Sequence, residues 1–390
     1  MFAPLLFVAA VFQAPSLAGS VRAGLRLDVL LALILLAWLT ISALWSPAEL
    51  SLTTGSLSGG DFSVDAPQIR FGFTIIAAAL LIVGALQWDP KTPSRLPVLM
   101  AGAGLFLLLG LLVITPLRET IVEGHGAGIL PSAQSAGRAV NLLALSLPLA
   151  MAVLVGRLEG RVLYLSLGLI LFGFLGVTVW MDGAAALIGL VVGFGILIGL
   201  RAMPKRGWVR LFDAIALTTL ATPALVWGAI SALSGIASSF PTSAHQRLFI
   251  WEATVRRVFE KPILGHGADA STTWHRTFAE EPDWLALMPA NYELVRIVPG
   301  HPHNMPLQVW VETGMIGALL LAGALAMFGR RLPTPDQFDK GALLAAAGVA
   351  GVAVTLFFVS YSAWDESFWA SLAIVSAAII CLNKLGQSTA

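Results

Sequence analysis

The chain has 390 residues, of which 57% are hydrophobic and 12% charged, with a net charge of +1 and a mean hydropathy of +0.84. Soluble domains carry about 25% charged residues, so composition excludes a water-soluble globular protein for most of the chain, and the near-neutral balance gives no reason to expect a nucleic-acid partner. The one cysteine, Cys381, excludes an intramolecular disulfide and a cysteine metal cluster.

The opening run MFAPLLFVAAVFQAPSLAG has no preceding positive region, and Arg22 and Arg26 follow it. It reads as a first spanning or half-spanning helix with its N-terminus outside, not as a signal peptide. Crossing a bilayer takes about 20 apolar residues. Runs near that length recur at 2–18, 27–45, 71–87, 96–114, 138–155, 162–180, 184–200, 212–230, 306–328, 342–360 and 368–384, eleven in all. The connections 19–26, 88–95, 156–161, 201–211 and 329–341, with the C-terminal tail, hold 14 of the 23 Lys and Arg residues. The positive-inside rule makes that side cytoplasmic. The connections 46–70, 115–137 and 231–305 then lie outside. The expectation is an all-α polytopic membrane protein of about 11 (10–12) transmembrane helices with one large, partly helical extracytoplasmic loop. It divides into N-terminal helices over 1–230, the loop over 231–305 and C-terminal helices over 306–390.

The long connection is rich in aromatic residues, Trp251, Phe259, Trp274, Phe278, Trp284 and Tyr292 among them, which argues against disorder. It opens with SAHQRLFIWEATVRRVFEKP. Ser243 is the expected N-cap, Leu248, Trp251, Val255 and Phe259 form one apolar stripe, and Pro262 stops the helix before ILGHG, read as a flexible turn. A helix with that stripe is expected to lie along the outer membrane–water boundary.

Polar chemistry concentrates in the same connection. Five of the six histidines lie there and the sixth, His125, is in the outer loop 115–137. His303 stands just before the run MPLQVWVETGMIG, where a neutral imidazole can accept a proton. From position alone, a capping or interface histidine, with Asn304 as the helix cap, accounts for it better. His301, two residues earlier, offers no metal-binding spacing with it, and no metal or cofactor is expected. Arg247, near a helix start at the outer face, suits an anion such as phosphate, or is an ordinary solvated arginine. Arg138 begins an apolar run, either snorkelling or facing a polar cavity, and Glu312 is a carboxyl inside a spanning run, a functional hypothesis by default that could pair with an arginine such as Arg138. Asp182 sits in a tight outer turn, read equally as turn residue or cavity lining. No P-loop is present, so nucleotide coupling is unsupported.

The Arg-x-x-x-Trp helix (Arg247, Trp251) ending in KPILGHG, followed by a long loop and then HPHNMPLQVWVETGMIGALL, resembles the bacterial O-antigen ligase and polymerase family of C-type membrane glycosyltransferases. The resemblance spans Gln246 to Gly317 and is weaker over 1–130. It implies an inverting, metal-independent transfer of a glycan from undecaprenyl diphosphate to an acceptor hydroxyl at the outer leaflet. The partners implied are that lipid-linked donor, a glycolipid or glycan acceptor and membrane lipids. It implies a bacterial inner membrane location, with the long loop periplasmic and the C-terminus cytoplasmic. Carried over residue by residue, it makes His303 and Arg247 the catalytic pair, and Arg138, His301, Asn304 and Glu312 substrate-binding. Many members have a Thr/Ser-Arg-(Gly/Ala)-Ala stretch where this chain reads WMDGAAAL, so Met181 or Asp182 replaces an arginine and Arg138 is the candidate to compensate. A ligase-type transferase is the leading reading and a surface-polysaccharide polymerase the alternative within the family. A flippase of lipid-linked glycans is the alternative of another class. It would bury ionisable groups in broken helices, whereas the spans here are nearly free of charge.

Overall fold

The computed structural model describes residues 27–48, 53–54, 63–64, 67–91, 95–125, 133–181, 183–233 and 242–389. Its helices, in chain order, are α1 (Leu27–Ser42, continued by a 3-10 turn Ala43–Trp45), α2 (Pro67–Gln87), α3 (Leu96–His125), α4 (Ala133–Val155), α5 (Gly160–Trp180), α6 (Ala184–Ala202), α7 (Gly207–Leu233), α8 (Thr242–Glu260), α9 (Met305–Gly329), α10 (Lys340–Val359) and α11 (Glu366–Thr389). A two-residue antiparallel ladder pairs Thr53–Thr54 with Ser63–Val64. Among the described residues eight helices are long and apolar enough to cross a membrane: α1, α2, α5, α6, α7, α9, α10 and α11. Shorter apolar stretches, Leu96–Leu112 of α3 and Ala139–Val155 of α4, bring the count to ten of the eleven expected. The expected run 2–18 lies outside the described residues.

The bundle is an all-α membrane fold whose middle is α4, α10 and α11. Leu143, Leu145, Leu147 and Leu149 of α4 are fully buried, packed with Ala345, Val352 and Leu356 of α10 and Phe368 of α11. α5 is peripheral: Leu165, Leu169, Phe172 and Val179 are each more than two-thirds exposed, as a lipid-facing helix requires. α10 packs on α6 backbone to backbone, since a Cβ on Gly351 would overlap Gly193 N. Small residues permit this approach where the hydrophobic effect cannot drive helices together.

The bundle has two distinct ends. At one, Arg330 pairs with Asp213 at 2.6 Å, and Lys384 Nζ donates to Leu86 O and Trp88 O at 2.6 and 2.9 Å. At the other, Arg70 pairs with Glu366 at 2.8 Å, and Ser46 Oγ donates to Ala268 O at 2.6 Å, tying the end of α1 to the long connection.

That connection is folded. After α8 come 3-10 turns at Ala270–Thr273 and Phe278–Glu280 and one helical turn at Pro282–Leu285, closed by a bridge between Thr277 and Arg296. Phe278, Ile297 and Val298 form its core together with Phe249 and Ile250 of α8. The other side of α8 puts Val255 and Val258 against Leu307 and Val311 of α9 and Val226 of α7. α8 is therefore sandwiched between the connection and the bundle. The buried face is Phe249, Ile250, Val255 and Val258, which shares only Val255 with the expected stripe; Leu248 and Trp251 are half-buried, and Phe259 is 56% exposed against Trp227. The consecutive run Leu248-Phe249-Ile250-Trp251 puts an apolar residue on every side of one turn, so periodicity could not choose the covered side. The helix also starts at Thr242, one residue before the expected cap Ser243.

The ILGHG segment is the second correction. It is not a loose turn but a wedge in a broken α9. Gly314 leaves the helical conformation, with φ 66° and ψ −166°. Backbone bonds then cross between chain segments: His266 N donates to Val311 O and Gly267 N to Glu312 O, both at 2.8 Å, and Met315 N donates to Pro262 O at 2.9 Å. Trp38 Nε1 of α1 takes the next carbonyl, Thr313 O, at 2.9 Å. A Cβ on Gly265 would overlap Glu312 O and one on Gly314 would overlap Ile263 O, so both glycines are sterically required. A break in a spanning helix is tolerable where neighbouring protein satisfies the freed groups, as it does here.

Candidate functional site

The site forms where the connection enters α9. Asn304 caps that helix, its Oδ1 accepting from Leu307 N at 2.9 Å, and Pro306 sits in the first turn, where no amide hydrogen is needed. Just before the cap, His303 has a left-handed backbone with φ 52°. This conformation is costly for a residue with a Cβ, and residues held in it concentrate at functional sites. It turns the imidazole toward the end of α10, where Nδ1 lies 2.8 Å from Ser360 O. A carbonyl only accepts, so Nδ1 carries the hydrogen and Nε2 is left with the lone pair. Burial pushes the His303 pKa below the usual 6.5, the nearby Arg247 charge pushes the same way, and the bond to Ser360 opposes them. Trp251 Nε1 of α8 holds Pro302 O at 3.0 Å, and the His301 ring lies 4.3 Å from the His303 ring, centroid to centroid.

Arg247 of α8 reaches the same place. Its Nε donates to Val359 O at 2.9 Å, and its Nη1 to Ser243 O at 2.9 Å. His303 and Arg247 thus seat on consecutive carbonyls, Ser360 and Val359, at the C-terminus of α10. That negative helix end attracts the guanidinium and orients the imidazole. Sequence reasoning named both residues but not their shared platform.

Glu312 is fully buried, and no arginine touches it among the described residues. Oε2 accepts from Trp364 Nε1 at 2.6 Å and from Asp269 N at 3.0 Å; Oε1 accepts from Gln308 Nε2 at 2.9 Å. Ser271 Oγ divides its one hydrogen between Gly300 O at 2.7 Å and Oε1 at 3.2 Å. Gln308 Oε1 in turn accepts from Ala363 N at 2.9 Å. Protein donors therefore surround both Glu312 oxygens, and Asn304 is likewise occupied as a cap and buried. Asp269, also with a left-handed backbone at φ 60°, has its pKa raised from 3.8 to about 6, chiefly by burial, with Thr272 and Arg70 opposing.

Arg138 falls in α4, with its side chain outside the described part, and Asp182 lies outside the described residues. The histidines do not gather into one group: His245 is buried on α8 beside Phe249, and His266 Nε2 is 2.8 Å from Arg257 O. Among the described residues no set of His, Cys, Asp or Glu side chains is placed to hold a metal. Sequence reasoning missed Ser360, Gln308, Trp364 and Ser271. The signal for Trp364 was its place in YSAWDES, a short polar break between two spanning runs.

Comparison with known proteins bears out the resemblance over the segment that carries Arg247, His303 and Glu312. Residues 169–322 match the family model described as O-Antigen ligase. A protein of Rickettsia conorii named "Putative polysaccharide ligase" is 30% identical over 134 residues, covering 34% of this chain and 30% of the relative. Its counterpart of the same name in Rickettsia typhi is 27% identical over 195 residues, 48% of this chain and 44% of the relative. Another in Rickettsia bellii is 24% identical over 200 residues, 50% of this chain and 45% of the relative. The matched segments thus span less than half the length of these relatives. No solved structure matches the chain.

Proposed function

We propose that the protein is a polysaccharide ligase-like membrane glycosyltransferase. It moves a glycan from a polyprenyl diphosphate, of the undecaprenyl type, to an acceptor hydroxyl. The acceptor oxygen attacks the anomeric carbon with inversion, its proton passes to His303 Nε2, and the carbon–oxygen bond to the diphosphate breaks with its electron pair. The fixed charge of Arg247 stabilises the negative charge growing on the leaving diphosphate. Breaking that activated bond supplies the driving force. The observation that carries the reading is the His303 geometry: a left-handed residue at the mouth of a spanning helix, Nδ1 fixed on Ser360 O, Arg247 on the adjacent carbonyl. The match to O-antigen ligases over 169–322 supports it. Positive residues at the opposite bundle end support an extracytoplasmic site, with the C-terminus in the cytoplasm.

The test is glycan transfer by His303→Asn, chosen because Asn tolerates the left-handed backbone. Transfer should fall on the order of 100-fold or more, as loss of a general base does, with the protein still folded in the membrane. Wild-type transfer by the folded variant would refute the role of His303. Deleting the protein from its cell should leave lipid-linked polymer unused and the acceptor bare. Accumulation of single lipid-linked repeats would instead make it a polymerase, and glycan trapped in the inner leaflet a flippase.

A further inference from the structure

We infer that Glu312 is a positioning residue that fixes the tautomer and orientation of the His303 imidazole from two sides, without touching substrate. The inference rests on the proposed transferase reading only where activity is the readout.

The first route runs through Ser271. Its hydroxyl lies between Glu312 Oε1 and Gly300 O, so the carboxyl anchors the chain one residue before His301-Pro302-His303. The second route runs through α9 and the α10–α11 turn. Oε1 accepts from Gln308 Nε2, which turns Gln308 Oε1 toward Ala363 N; Oε2 takes Trp364 Nε1 directly. Residues 363 and 364 belong to the short segment that begins at Ser360, whose carbonyl receives His303 Nδ1. The remaining Glu312 bond, to Asp269 N, fixes the loop that leaves the wedge, where Gly267 N holds Glu312's own carbonyl. One buried side chain thus sets the position of the backbone before His303 and of the acceptor for its Nδ1. A carboxylate suits this post because it accepts at every position, whereas an amide presents donors at one end.

Glu312→Gln tests that argument. Its NH2 group would oppose Gln308 Nε2, forcing Gln308 to turn and release Ala363 N. Uniformly 15N-histidine-labelled full-length protein in liposomes reports the result by solid-state NMR, with His303→Asn used to assign the signal. Wild type should show His303 as a single neutral tautomer with hydrogen on Nδ1; Glu312→Gln should show a mixture. Transfer from a polyprenyl-diphosphate oligosaccharide should lose kcat by about 10–100-fold, the range for removing a group that orients a functional histidine. KM for that donor should stay within about twofold. Trp364→Phe and Ser271→Ala each cut one route and should give intermediate tautomer mixtures. They carry the test if Glu312→Gln does not fold. An unchanged single tautomer in the folded variants overturns the inference, as does a raised KM with unchanged kcat, which would make Glu312 a substrate contact. The failures are separable: active His303→Asn sinks the transferase reading, while the NMR arm judges Glu312 without any substrate.

Discussion

Glycine brings two backbones together in different ways between α6 and α10 and at the break in α9. Between α6 and α10, Gly193 and Gly351 let intact helices approach. At the break, Gly265 and Gly314 let two chain segments exchange hydrogen bonds, and the helix gives up its own ladder to accept the wedge. The first contact determines how closely helices pack. The second determines where a loop stands relative to a helix, and Glu312 and His303 lie on that same helix entrance. Close packing alone would tolerate sliding by a small distance; exchanged backbone bonds fix one register.

Three substitutions and one condition sharpen this contrast, in decreasing size. Gly314→Ala should cost more than about 4 kcal/mol, because the new Cβ meets backbone and φ is positive. Gly351→Ala should cost about 1–3 kcal/mol, since two helices can separate slightly. Thermal unfolding in detergent ranks them, and equal losses would remove the distinction. Next, Trp38→Phe deprives Thr313 O of its donor while keeping the aromatic ring, and should cost about 1–2 kcal/mol. A neutral result would mean that the break does not depend on α1.

The smallest effect is the response to pH. The folded protein holds the His303 pKa below 6.5, so the unfolded chain binds the proton more readily and stability falls as pH drops below 6.5. Asp269 works in the opposite direction. With its pKa raised from 3.8 to about 6, the folded state binds the proton more readily, and stability falls as pH rises through that window. Melting curves between about pH 4 and 8 should therefore be partly compensated in wild type. His303→Asn should remove the His303 slope and Asp269→Asn the Asp269 slope. Parallel curves for all three proteins would show that neither group titrates differently on folding.

Spanning helices were legible because each is a run of apolar residues, a local property that needs no partner. His303 and Arg247 were legible as a pair through their motif. Their meeting on Val359 and Ser360 was not, because nothing in the preceding apolar run or in its end at Val359-Ser360 announces that these carbonyls receive residues from two other segments. Glu312 stood out as a carboxyl in an apolar run, but all its partners are distant in sequence except Gln308, and an arginine partner was a reasonable guess. The spans read as nearly free of charge, yet α9 is broken at Gly314 and carries the buried Glu312 carboxyl two residues before the break. Protein donors surround that carboxyl.

The wedge also divides the long connection into two parts with different freedom to change. Residues 262–274 are rooted: they exchange bonds with α9, contact Glu312 and meet Ser46 of α1, so insertions there would displace the helix entrance itself. Residues 275–299 are joined to the rest mainly through the core that Phe278, Ile297 and Val298 form with α8, and the Thr277–Arg296 bridge closes this part on itself. Between those core residues its turns can change with less effect on His303, as a replaceable module on a fixed base. Diversity in what this architecture accepts is expected to accumulate there.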